Sequence, residues 1–87
     1  MKTPKGSCQI IAKNERAQRK ARKLSMEKFA EISGVSLGSL KRFENTGEIS
    51  LVSLLKLAIV LDCAEEFEQL FVKEHIMSIQ EIIDGKV

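Results

Sequence analysis

The 87-residue sequence predicts an all-α domain of five short helices, with a sixth expected near the C-terminus. Three observations predict it. Apolar residues recur at spacings of three and four, and nowhere alternate over the length of a strand. Ser, Asp and Gly punctuate these segments where helices begin and end. One Pro and five Gly, in a chain 44% hydrophobic and 30% charged, suit one modest core with short connections.

Each element follows from its residues. Residues 1–7 are expected to be a flexible N-terminus and residues 8–75 the folded domain. The first helix is predicted over Cys8 to Lys23, a stretch without Gly or Pro and rich in Ala, Arg, Lys and Gln. Ala17, Ala21 and Leu24 can share one of its faces. The second follows Ser25, an N-cap by residue type, turns Phe29 and Ile32 inward and stops at Gly34. The third follows Ser36 with Leu40 and Phe43 inward, and Asn45-Thr46-Gly47 reads as its closing turn. The fourth follows Ser50 and is the most apolar, with Leu51, Leu54, Leu55, Ala58 and Leu61 on a stripe expected at the centre of the core. Asp62-Cys63-Ala64-Glu65 has the spacing of a capping box, which opens a fifth helix with Phe67, Leu70 and Phe71 inward. Ser78-Ile79-Gln80-Glu81 repeats that spacing and places the sixth helix, with Ile82 and Ile83, in the segment 76–87.

Net charge is +2, but the halves differ. Residues 1–42 hold eleven Lys/Arg against three Glu (+8), and residues 43–87 hold three Lys against nine Asp/Glu (−6). A basic half on a small domain is a candidate face for a polyanion, although a solvated Lys/Arg-rich helix gives the same count. No apolar run approaches the ~18–20 residues of a membrane span. The basic N-terminus lacks the ~7–15 apolar residues of a secretory signal, so a cytoplasmic protein without membrane contact is expected. Cys8 and Cys63 lie far apart, with no CxxC and no nearby His; Cys63 reads as a small buried hydrophobe. The single His75 has no nucleophile beside it. No cofactor or metal site is expected, and no paired carboxylates, phosphate-cradling loop or nucleophile–base set supports an enzyme.

Met26 to Glu44 meets the steric demands of two helices crossing closely over a tight turn. Ala30 is small where the second helix packs over the first. Gly34 tolerates a positive φ in the turn. Phe29, Val35, Leu40 and Phe43 are apolar where the core requires it. Ser36, Leu37, Gly38, Ser39, Lys41 and Arg42 are left on the outward side of the second helix. Such a helix can lie in the major groove of DNA while the first crosses the backbone.

From about Glu15 to Phe71 the chain resembles the phage-repressor/Cro-type (Xre-like) helix-turn-helix family. The residues that carry the resemblance are Leu24-Ser25, Phe29-Ala30, Gly34-Val35-Ser36, Leu40, Arg42-Phe43-Glu44, Gly47, Leu54-Leu55-Lys56-Leu57-Ala58 and Leu61. It implies a compact five-helix repressor-like domain that binds operator DNA sequence-specifically, normally as a homodimer. It also implies a structural ion pair between Arg19 of the first helix and Glu44 at the end of the recognition helix. The sequence departs from the family at several positions. Met26 stands where many relatives have a phosphate-binding Gln, Ser33 where an apolar residue is usual, and Leu37 and Gly38 where polar base readers are common. Glu15 and Gln18 fall where relatives often bury apolar residues, which allows for a rotated first helix.

The expected DNA-binding set is Ser25, Met26, Ser36, Leu37, Gly38, Ser39, Lys41, Arg42, Asn45 and Thr46. Arg42 has two readings: a bidentate bond to guanine O6 and N7, or a phosphate contact or surface ion pair. Lys41 reads as a phosphate ligand, and Ser36 as an N-cap whose helix N-terminus can also hold a phosphate. Leu37 can touch a thymine methyl or lie partly buried, and Gly38 allows close approach to the duplex or is neutral. The function these residues predict is a DNA-binding transcriptional regulator, a repressor by resemblance, with double-stranded DNA as partner. The alternative is an antitoxin or interaction module whose apolar C-terminal segment (Ile76, Met77, Ile79, Ile82 and Ile83) grips a toxin or other protein. The two can coexist.

Overall fold

The computed structural model describes residues 2–73, which form five α-helices and no strand. In chain order these are α1 (Pro4–Ala21), α2 (Met26–Ser33), α3 (Leu37–Thr46), α4 (Leu51–Val60) and α5 (Ala64–Glu68). His75 and the expected sixth helix at Ser78 lie outside the described residues.

Three serines set the starts of α2, α3 and α4. The hydroxyls of Ser25, Ser36 and Ser50 accept hydrogen bonds from the backbone N–H of Lys28 (3.0 Å), Ser39 (3.1 Å) and Ser53 (3.1 Å). Each satisfies a donor that the helix leaves open, worth ~1 kcal/mol. Two glycines end α2 and α3 in the left-handed region, Gly34 at φ 79° and Gly47 at φ 82°. Gly34 is required by its φ alone, since nothing lies within 4 Å of where its Cβ would be. Gly47 is required twice over. A Cβ there would stand 2.9 Å from the backbone carbon of Cys8, so α1 crosses the end of α3 at a distance only glycine permits.

The core is small. Phe29, Leu40, Phe43 and Leu57 are fully buried, with Ala12, Ala30, Val35, Ala58 and Leu61 around them. Met26, Leu37 and Leu54 pack against this cluster from its edge.

Several sequence expectations are corrected. Helix α1 begins at Pro4, within the stretch expected to be flexible, because Thr3 caps it by accepting from Gly6 N–H (3.0 Å) and a Pro is tolerated at N1. Its inward face carries Ala12, Glu15 and Arg19, while Ala17 and Ala21 are exposed. Ile32 is also exposed. In α4 the buried residues are Leu57 and Ala58, and Leu51 faces outward at 62% exposure.

Asp62 does not cap α5. It adopts φ 56° in the turn that closes α4, where Cys63 N–H donates to Ala58 O (2.9 Å). The N-cap position falls to the partly buried Cys63, without a side-chain bond, and α5 has only five residues. Phe67 is half-buried, whereas Leu70 and Phe71 are exposed.

Candidate nucleic-acid interface

Helices α2 and α3 pack together around Phe29, Ala30, Val35, Leu40 and Phe43, with the Gly34 turn between them. With Leu40 and Phe43 turned inward, Gly38, Lys41, Arg42 and Asn45 fall on the opposite side of α3, all exposed. Their spacing of i, i+3, i+4 and i+7 forms one stripe along the helix. Ser39 flanks it, and its hydroxyl pairs with that of Ser36 (2.8 Å) at the helix N-terminus.

The remaining expected site residues divide into two groups. Ser25 is exposed as the cap of α2, while Met26 and Leu37 are partly buried against the core. Thr46 is exposed but structurally engaged. Its hydroxyl donates to Arg42 O (2.7 Å) and accepts from Glu48 N–H (3.1 Å), closing the turn after α3. The turn anticipated at Asn45-Thr46-Gly47 therefore begins only at Gly47, since α3 runs through Thr46.

The back of α3 is tied to α1 by a buried charge cluster. Arg19 donates from Nε to Glu44 Oε2 and from Nη2 to Glu44 Oε1, both at 2.9 Å, and from Nη1 to Leu24 O at 2.8 Å. The pair is bidentate, and both side chains are less than 10% exposed. Glu44 thus joins α3 to α1, and Leu24 O joins the same guanidinium to the start of α2. The half-exposed Arg16 adds a second cation 3.9 Å from Glu44.

A second carboxyl enters this cluster. Glu15, 6% exposed, places Oε2 4.0 Å from Arg19 Nε, yet neither of its oxygens accepts a hydrogen bond among the described residues. Burial and the neighbouring Glu44 push its pKa up to about 8, against the opposing pull of Arg19 and Arg16. Holding a proton lets Glu15 stay buried beside the Glu44 carboxylate without a second negative charge. Burial pushes Glu44 up as well, but the bonds from Arg19 and Glu15 outweigh it and leave Glu44 below the usual carboxylate range. The fold therefore pairs two carboxyls that lie 29 positions apart in a sequence where no such pair was anticipated. Their role is internal, because the Glu15 oxygens are inaccessible.

Two more residues escaped sequence reasoning, and Gly47 was legible there only as part of a turn. Arg22, counted only as a helix cation, donates to Leu61 O (2.9 Å) at the C-terminal end of α4. Gly47 supplies the close crossing with α1. Glu48 meets Arg42, accepting at Oε2 from Nε (3.2 Å) and Nη2 (2.7 Å) on the exposed side of α3. Only the proximity of Glu48 to the Gly47 turn hinted at this return.

No helix among the described residues is long and apolar enough to cross a membrane. No curated protein matches the chain, and no solved structure matches it. A helix-turn-helix family model does match, over residues 16–67, which span α2, α3 and α4 with the last third of α1 and most of α5. That match covers more than half of the chain and includes the Gly34 turn and the Arg19–Glu44 pair, so the chain belongs to the Xre/Cro-like helix-turn-helix family of DNA-binding regulators.

Proposed function

We propose that this protein is a sequence-specific repressor that lays α3 in the major groove of double-stranded DNA. The observation that carries the reading is the exposed stripe of Gly38, Lys41, Arg42 and Asn45 on a helix whose opposite side is buried and locked to α1. Phosphate contacts position such a protein and base contacts give it specificity. Lys41 and the N-terminus of α3 at Ser36 serve the first role, and Arg42 the second, through guanine O6 and N7. Ser25, Ser39 and Asn45 are exposed polar residues of the motif and add polar contacts, and Gly38 lets the helix backbone approach the base pairs.

Met26 and Leu37 offer no side-chain hydrogen bonds, so part of the selectivity is assigned to DNA shape. With so few polar readers on one helix, the protein acts as a homodimer. Leu51, Val52 and Ile59, exposed on α4 away from the core, supply apolar surface for that contact. The same apolar surface favours a second reading, in which a protein partner such as a toxin is held while DNA is bound. Selection of bound duplexes from a random library, read across a salt series, tests the proposal. A palindromic consensus with half-sites ~34 Å apart is the expected result. Recovery of no enriched sequence, at any salt at which DNA is bound, would contradict it.

A further inference from the structure

The strongest unused feature of the α3 surface is the carboxylate that meets its guanidinium. Glu48 Oε2 accepts from Nε and Nη2 of Arg42, which is the lateral edge of the group. A guanidinium carries five N–H donors in a fixed fork. Two are used by Glu48. The terminal edge, with both Nη1 donors and the second Nη2 donor, stays available, and that edge matches the paired acceptors O6 and N7 of guanine.

The loop that delivers Glu48 is built for this return. Gly47 turns the chain in the left-handed region, and the Thr46 hydroxyl ties Arg42 O to Glu48 N–H. Glu48 is therefore held to the last turn of α3 through its backbone as well as its side chain. The pair itself is exposed, 68% and 64% for the two side chains, so its contribution to folding is small. Its consequence lies in where Arg42 can go. A free arginine on this surface has a long flexible stem and an equal choice of phosphate or base. A carboxylate beside it both fixes the fork and repels the phosphate backbone.

We propose that Glu48 is a specificity-determining positioning residue. It presents the terminal edge of Arg42 to one base and keeps that side chain off the phosphates. This rests on the reading of Arg42 as the base reader, so the test separates the two. Affinities of wild type, E48Q, R42A and the double variant would be measured for the selected duplex and for a random duplex at one salt concentration. Melting temperatures would establish that each variant is folded. E48Q should bind the random duplex about threefold or more tighter and lower the selected-to-random ratio about fivefold or more. In the R42A background, E48Q should leave that ratio within about twofold, because the residue it positions is gone.

Equal tightening on both duplexes by E48Q, with the ratio intact, would show that Glu48 acts only as diffuse negative charge and would overturn the inference. If R42A itself leaves the ratio unchanged, Arg42 is not the base reader and the inference falls with it. If R42A lowers the ratio and E48Q does not, the reading of Arg42 stands and the role of Glu48 alone is refuted.

Discussion

Replacing Glu15 by Gln should stabilise the domain at neutral pH and have little effect in acid. The wild-type carboxyl is buried between Arg19 and Glu44, and its pKa is raised from 4.5 to about 8. The folded state therefore holds a proton that the unfolded chain releases above pH 4.5. Between these two values the unfolded state binds fewer protons, so stability falls as pH rises and levels off above the folded pKa. Keeping Glu15 protonated at pH 7 costs the gap between 4.5 and 7, which at 1.36 kcal/mol per unit is at most ~3 kcal/mol. Glutamine needs no such proton and brings an uncharged amide donor to the same buried position beside Glu44. E15Q should thus gain up to ~3 kcal/mol at pH 7, a rise of the order of 10–20 °C in Tm for a domain of this size. At pH 4 the two proteins should melt within ~1 kcal/mol of each other. Thermal melts of both from pH 4 to pH 9 provide the assay. A stability difference independent of pH would refute the proton-bound Glu15. E15Q less stable than wild type at pH 7 would show that the cluster prefers the ionised acid.

The same cluster makes Arg19 and Glu44 unequal. Arg19→Ala leaves two buried carboxyls without their main cation and should cost ~3–5 kcal/mol, whereas Glu44→Ala leaves Glu15 to pair with Arg19 and should cost less. The double variant should lose less than the sum, and simple additivity in denaturant melts would show that the pair does not couple. Gly47→Ala should destabilise by more than ~2 kcal/mol, because it adds left-handed strain to a clash with the Cys8 backbone; a neutral result would mean that α1 crosses α3 elsewhere. Gly38→Ala meets nothing within 4 Å and removes a glycine from a helix interior, so Tm should rise by the equivalent of ~0.5–1 kcal/mol. Its affinity for the selected duplex should fall, and unchanged affinity would remove close approach as the reason for glycine there.

Much of the fold was legible because local chemistry and tertiary demand agree. Ser25, Ser36 and Ser50 are caps by residue type, and Gly34 sits where only a left-handed residue closes α2. Phe29, Leu40 and Phe43 are the bulky residues on the faces of α2 and α3 that meet. The misread positions share a cause, which is that hydrophobic spacing cannot phase a helix whose buried residues are charged or whose every side is apolar. In α1 the core-facing positions are Ala12, Glu15 and Arg19, two of the three charged, so the apolar pattern of Ala17 and Ala21 pointed to the wrong face. In α4, LVSLLKLAIV is apolar nearly all round, and the choice of Leu57 over Leu51 is made by neighbouring helices. Asp62 was read as an N-cap, but the closing turn of α4 claims it first. At the candidate interface the exposed stripe of α3 was readable from the spacing of its inward residues. The Arg42–Glu48 pair was not, since it depends on how the chain leaves Gly47.

The central claim, that the outer face of α3 reads DNA, is tested most directly by the affinities of Lys41→Ala and Arg42→Ala for selected and random duplexes across a salt series. Lys41→Ala should weaken binding to both and reduce the slope of log affinity against log salt by about one phosphate contact. Arg42→Ala should cost ~1–3 kcal/mol mainly on the selected duplex and relax one base position toward indifference. If both variants stay folded and bind every duplex as the wild type does, this face is not a DNA reader and the account is wrong.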